Sequence, residues 1–226
     1  MAQQARKKPF EGLRVADFAW VGVGPTVSKY LADHGAEVIR IESSTYPEAL
    51  RRVGPFVNDT PNIDGSGYYA NFNSSKLCMS VNFKHPRGPE LVRRLVAKCD
   101  VVTESYTPGT MARFGFDYES LSAGRDDLLM VSMPLYGQTG PWANYMGYGH
   151  VLQAASGFNH LTGWEDGPPI GTGIAYTDFL VPHFAAVAVI AALGGLASVG
   201  SPRRMALGGL LVGAVAIYVW LRAQRL

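Results

Sequence analysis

The chain has 226 residues, 47% hydrophobic and 17% charged, enough for one sizeable domain or one domain plus an appendage. Twenty Lys and Arg against eighteen Asp and Glu leave a formal net charge of +2, too balanced for a nucleic-acid binder with a basic stripe. Two cysteines, Cys78 and Cys99, make no disulfide framework, CxxC pair or metal-ligand cluster, so no metal is expected and a reducing, cytoplasmic setting is the default.

The N-terminal stretch MAQQARKKPFEGLRVADF is basic but has no apolar h-region, so it does not read as a secretory signal. Residues 13–18 (LRVADF) form a short apolar run that predicts a buried strand. Gly22, Gly24 and Pro25 punctuate the chain. Residues 26–34 then read as a helix with Val27, Tyr30 and Leu31 on one face, stopped by Gly35. Residues 37–42 (EVIRIE) predict a second strand, which completes a βαβ unit with parallel strands. Residues 51–67 are rich in Pro, Asn, Asp and Gly and read as a loop. Further strands are predicted over 77–83, 100–103 and 128–133, with a helix over 87–98 opened by Pro86 and a short helix from Thr110. This alternation predicts an α/β domain with a mostly parallel sheet. Ligands in such sheets bind beyond the carboxyl ends of strands, where residues 22–25, 105–109 and 134–140 fall.

Three segments carry candidate chemistry. The run Val21-Gly22-Val23-Gly24-Pro25 lies between a strand and a helix. Such a turn can cradle an anion on free N–H groups, or can simply be tight; it matches neither GxGxxG nor GxxxxGK[ST]. Asp178, in Ala175-Tyr176-Thr177-Asp178-Phe179, precedes an apolar run over 184–193 and reads as a carboxylate at a helix start. It is either a cap that complements the helix dipole or a nucleophile that attacks a carbonyl. Gly137-Gln138-Thr139-Gly140-Pro141 reads as a loop, and His150 and His160 are packed or solvated imidazoles unless a partner engages them. No Ser/His/Asp order, GxSxG elbow or HExxH spacing is present.

Taken together, these segments resemble the family III coenzyme A transferases, a family that includes formyl-CoA transferase, the carnitine CoA-transferases and the α-methylacyl-CoA racemases. The resembling stretches are FEGLRVADFAWVGVGPTVSKYLADHGAEVIRIE, NFNSSKLCMSVNFKHPRGPELVRRLVAKCDVVTESYTPGTMARFGFDYESL, YGQTGP, GYGHVLQAASGFNHLTGWEDGPP and AYTDF. They run in the family's order over residues 10–193. The resemblance implies a Rossmann-like large domain and a homodimer of interlocked chains. It implies acyl-CoA and a carboxylic acid as substrates, with coenzyme A entering as substrate and no tightly bound cofactor. Asp178 matches the family's catalytic aspartate, which forms an acyl anhydride and then an enzyme–CoA thioester. Val21, Val23, Val81, Lys84, Ser105, Tyr106 and Arg113 match positions that hold the CoA nucleotide or pantetheine arm, and Tyr68 matches an active-site tyrosine. Lys84 and Arg113 suit phosphate, and each is otherwise an ordinary solvated charge. Tyr148 stands where the transferases have tyrosine and the racemases have an acid/base histidine, which favours transfer; His150, two residues on, fits a racemase only in a shifted register. Gly22 stands where formyl-CoA transferase has a glutamine that orients the acyl group, so a formyl/oxalate specificity is not expected; Ser43 stands in place of an arginine near the CoA, and Met146 in place of a lysine.

After Leu193 the pattern changes to GGLASVGSPRR, a linker over 194–204, and then to MALGGLLVGAVAIYVWL over 205–221. That uncharged segment is near the short end of a membrane-crossing helix, with Tyr218 and Trp220 as interfacial aromatics. A membrane anchor and a truncated or frame-changed end both account for it. A chain limited to the N-terminal portion of the family is expected to turn over poorly, which leaves three readings: a CoA-transferase, a 2-methylacyl-CoA racemase, and a catalytically inactive membrane-attached CoA-binding protein.

Overall fold

The computed structural model of the chain describes residues 7–199. Five parallel strands form one sheet in the order β3-β2-β1-β4-β5, namely β1 (Arg14–Asp17), β2 (Glu37–Glu42), β3 (Leu77–Ser80), β4 (Val101–Glu104) and β5 (Leu129–Ser132). Four lie inside an apolar run expected to be a strand, and β4 runs one residue past the expected 100–103 to Glu104. Helix α1 (Val23–Asp33) follows β1, α2 (Gly67–Asn73) precedes β3, and α3 (Gly88–Val96) joins β3 to β4. Short helices α4 (Thr110–Arg113) and α5 (Tyr118–Leu121) lie before β5; α6 (Gly149–Ala155), α7 (Phe158–Leu161) and the long α8 (Tyr176–Val199) follow it.

The pleat sends alternate residues of each strand to opposite faces. Val15 and Val101 pack with Val27, Leu31, Ala185, Val189 and Ala192, so α1 and α8 cover one face. Ala16 and Val102 pack with Val92, Val96, Met111 and Phe116, so α3 and the following segment cover the other. Three layers result, as buried parallel strands require.

Two differences from the sequence reading have physical reasons. Helix α2 begins within the glycine- and asparagine-rich stretch read as loop, because the Ser66 hydroxyl accepts the Tyr69 N–H at 3.1 Å and caps it. Helix α8 runs on through Val199, so residues 194–199, read as the start of a linker, are helical. The rest of that linker and the apolar segment 205–221 lie outside the described residues. Among the described residues, one helix is long and apolar enough to cross a membrane, α8 over Tyr176–Gly194 (mean hydropathy 1.7). Its apolarity has a second cause here: one stripe covers the sheet, while Phe179, Leu180, Phe184, Val187 and Ile190 form an outer stripe.

Candidate active site at the sheet's switch point

The chain adds strands in one direction from β1 to β3, then returns to the other side of β1 with β4. The crevice above this switch point lies between the carboxyl ends of β1 and β4. The loop after β1 is held there by side chains. Ala19 N–H donates to Asp17 Oδ1 (3.0 Å), Trp20 N–H to Ser105 Oγ (2.8 Å) and Val21 N–H to Glu48 Oε1 (2.9 Å). The Ser105 hydroxyl donates back to the Trp20 carbonyl at 3.1 Å, which clasps the loop after β4 to the loop after β1. Gly24 lies so close to Ala19 Cβ that a side chain there would collide with it.

A buried charge network underlies this loop. Asp17 is fully buried and accepts four side-chain and backbone donors: Ser28 Oγ (2.7 Å), Lys76 Nζ (2.9 Å), Thr103 Oγ1 (2.9 Å) and Ala19 N. Burial alone would raise its pKa, but Lys76 and Arg40 overcome that and hold the carboxyl below the usual range. Lys76 spends its remaining N–H groups on the Pro25 carbonyl (2.8 Å) and Asn73 Oδ1 (3.0 Å). The buried Arg40 guanidinium donates to the Ala19 carbonyl (2.7 Å), Glu42 (3.1 Å) and Glu48 (2.9 Å). Arg51 takes Glu42 in a two-point contact (2.7 and 3.0 Å) and lies 3.8 Å from the Tyr69 ring centroid. The Tyr69 hydroxyl also donates to Glu42.

Asp178 occupies the first turn of α8, at the helix start where the sequence reading put it. The packing of α8 on α1 brings it to the glycine loop: a Cβ on Gly22 would sit 3.7 Å from Asp178 Cβ and Oδ2. On the other side it meets the start of α6. A side chain on Gly149 would collide with Asp178 Oδ1 and come within 2.7 Å of Thr177 Oγ1, which donates to the Gly149 carbonyl at 3.2 Å. The carboxylate is half-buried, and burial pushes its pKa above the ordinary aspartate value while the charge of His150 pulls the other way. Hydrogen bonding has no part in this shift. The result is a poorly solvated carboxylate between two glycines, with no hydrogen-bond donor to its charge among the described residues.

The other expected residues fall in different settings. Val21 precedes Gly22 with φ +65, a left-handed conformation that is costly for a β-branched residue. Val23 opens α1, and Tyr148 is the exposed N-cap of α6, next to Gly149. Arg113 and Met146 line an open cleft of about 410 Å³ with Thr107, Pro108, Gly109 and Asn144. Tyr106 stands edge-on to Trp20, whose ring stacks on Tyr46 with centroids 5.7 Å apart. Lys84 is exposed. Tyr68 packs on Phe72, and the Val81 side chain is committed to the core. The Ser105 hydroxyl is taken up by Trp20. Sequence reasoning gave no part to Glu48, Arg40 or Gly149. An arginine between two isoleucines in a buried strand was the one signal present. No cluster of His, Cys, Asp or Glu able to hold a metal ion occurs among the described residues.

A 3-2-1-4-5 parallel sheet with a half-buried carboxylate over its switch-point crevice defines a Rossmann-like domain with a candidate site. Comparison with known proteins gives the family: the chain belongs to CoA-transferase family III, whose profile matches residues 10–215 and so extends into the segment where the sequence pattern changes. The chain is 40% identical to succinyl-CoA:glutarate CoA-transferase of Mus musculus over 187 residues, covering 82% of this chain and 42% of the relative. It is 38% identical to acetyl-CoA:oxalate CoA-transferase of Acetobacter aceti, covering 74% and 42%. A crystal structure of a CAIB/BAIF family protein from Brucella suis superposes with a TM-score of 0.79 at 35% identity, covering 87% of this chain and 52% of that one. The chain thus spans about half the length, or less, of these relatives.

Proposed function

We propose that this chain carries the nucleophile of a coenzyme A transfer between an acyl-CoA and a carboxylic acid, with Asp178 as the attacking group. The observation that carries the reading is the Asp178 carboxylate, half-buried and held between Gly22 and Gly149 at the switch point. In this reading a carboxylate oxygen attacks the thioester carbonyl, the C–S bond breaks, and the CoA thiolate leaves an acyl–aspartyl anhydride. The thiolate then attacks the aspartyl carbonyl, releasing the donor acid and forming an enzyme–CoA thioester. The acceptor carboxylate attacks that thioester, and the thiolate released attacks the new anhydride at the acceptor's carbonyl. Acceptor acyl-CoA and free Asp178 result. A poorly solvated carboxylate suits this chemistry, because less water must be stripped from it before attack.

The substrates follow from the same site. Gly22 places no side chain over Asp178, which leaves room for an acyl group larger than formyl. The relatives named for glutarate and oxalate make short dicarboxylic acids the acceptor class to test. Arg113 lines the open cleft beyond the β4 loop, which supports a role for it in meeting a CoA phosphate, and the working assembly in this reading is a homodimer.

The test uses the full 226-residue chain with succinyl-CoA, read by intact mass and peptide mapping, then with glutarate, oxalate and a 2-methylacyl-CoA, read by chromatography. A CoA adduct at Asp178, lost in Asp178→Ala, is the expected result. A folded chain that binds CoA but forms no adduct, or that epimerises the methylacyl-CoA instead, overturns the proposal.

A further inference from the structure

We infer that Glu48 is a positioning residue for this site, acting through the Val21 N–H to hold the Val21–Gly22 segment against Asp178. The inference rests on the reading of Asp178 as nucleophile and goes beyond it, to a residue that touches neither substrate nor reacting atoms.

Three observations carry it. Val21 adopts φ +65, which its branched side chain disfavours, so something must hold it there. Its N–H is donated to Glu48 Oε1 at 2.9 Å, and the same oxygen accepts the Leu50 N–H at 3.4 Å. Glu48 is itself fully buried and immobilised, because its other oxygen accepts Arg40 Nη2 at 2.9 Å and Arg40 is anchored to the Ala19 carbonyl two residues before Val21. The residue that follows Val21 is Gly22, the one that faces the Asp178 carboxylate. A buried ion pair is thus aimed at one backbone amide whose geometry sets one wall of the site. A purely structural ion pair needs only charge; a positioning acceptor needs an oxygen at the right reach.

Two substitutions separate these roles. Glu48→Gln keeps an acceptor oxygen at Val21 and gives up the charge facing Arg40. Glu48→Asp keeps the charge and shortens the reach by one carbon. With saturating succinyl-CoA, the single-turnover rate of CoA adduct formation at Asp178 is expected to fall about 100-fold in Glu48→Asp, in line with the cost of small misplacements. It is expected to fall at least tenfold less in Glu48→Gln, while affinity for free CoA stays within about threefold in both. Hydrogen exchange of peptides spanning residues 18–24 gives an activity-independent readout: faster exchange in Glu48→Asp than in Glu48→Gln. Equal rates, or a Gln variant slower and looser than the Asp variant, overturn the inference and leave Glu48 a structural counter-ion. If the unaltered chain forms no adduct, the nucleophile reading fails, and the exchange order alone decides whether Glu48 holds the loop.

Discussion

Asp17 and Asp178 are two shielded carboxylates in one domain with opposite surroundings. Asp17, under the loop, has every lone pair engaged and two cations beside it, so burial is overcome and its charge is held tightly. Asp178, at the rim, has lost part of its water without such compensation, and its proton is held more firmly than in a free aspartate. In the proposed reading, the contrast separates a charge that builds the fold from a charge kept reactive. The first is satisfied by the Ala19 N–H just after β1 and by side chains from α1, β4 and the turn before β3. The second is placed by long-range packing of α8 on α1 and left unsatisfied.

The contrast can be broken from either end. Asp178→Ala is expected to remove all CoA adduct formation while leaving the thermal transition nearly unchanged, measured by mass spectrometry and calorimetry. Lys76→Met should do the reverse in kind, costing about 3–5 kcal/mol because it strands part of a buried ion network, as read by urea unfolding. Gly149→Ala should slow adduct formation about 10- to 100-fold, since its methyl group must displace the carboxylate it touches; the single-turnover rate checks this. The two pKa directions give opposite pH signs. Asp17, lowered in the fold, contributes stability at neutral pH that is lost as pH falls through its folded pKa. Asp178, raised in the fold, favours the protonated form, so its charge costs stability once pH exceeds that pKa. Adduct formation should therefore fade with acidification at a higher pH than an ordinary aspartate would give, and Asp178→Asn should be neutral or slightly stabilising at pH 7. Smallest of all, Arg14→Ala at the exposed Glu37 pair should change stability by less than about 1 kcal/mol.

Much of the scaffold was legible because buried parallel strands are written as apolar runs. Four of the five strands fall inside such runs and β4 overruns its own by one residue, and the punctuating glycines after β1 mark the turn that bears the candidate site. Helix α1 starts three residues earlier than its apolar face suggested, since Val23, Gly24 and Pro25 are poor helix formers in isolation and are held by packing instead. Helix α2 went unread because one glycine and two asparagines interrupt its short span, and α6, though built mostly of Leu, Gln and Ala, is only seven residues long and follows a Gly-rich stretch. At the candidate site, the apolar run after Asp178 marked a carboxylate at a helix start, and its reading as a nucleophile came from the family resemblance. Glu48 was not legible, because its importance lies in one hydrogen bond to a residue 27 positions earlier, and no periodicity encodes that.

The clasp between Trp20 and Ser105 bears on how the molecule comes to be made. The residues it joins are 85 positions apart, and β1 cannot take its place in the sheet until β4 is available to lie beside it. Loop closure over such separations is slow relative to local helix formation. On the ribosome, the N-terminal βαβ unit must therefore wait with one flank of its central strand open. The proposed nucleophile arrives later still, with α8. Folding order alone would keep Asp178 apart from the Gly22 loop until the sheet beneath them was already built.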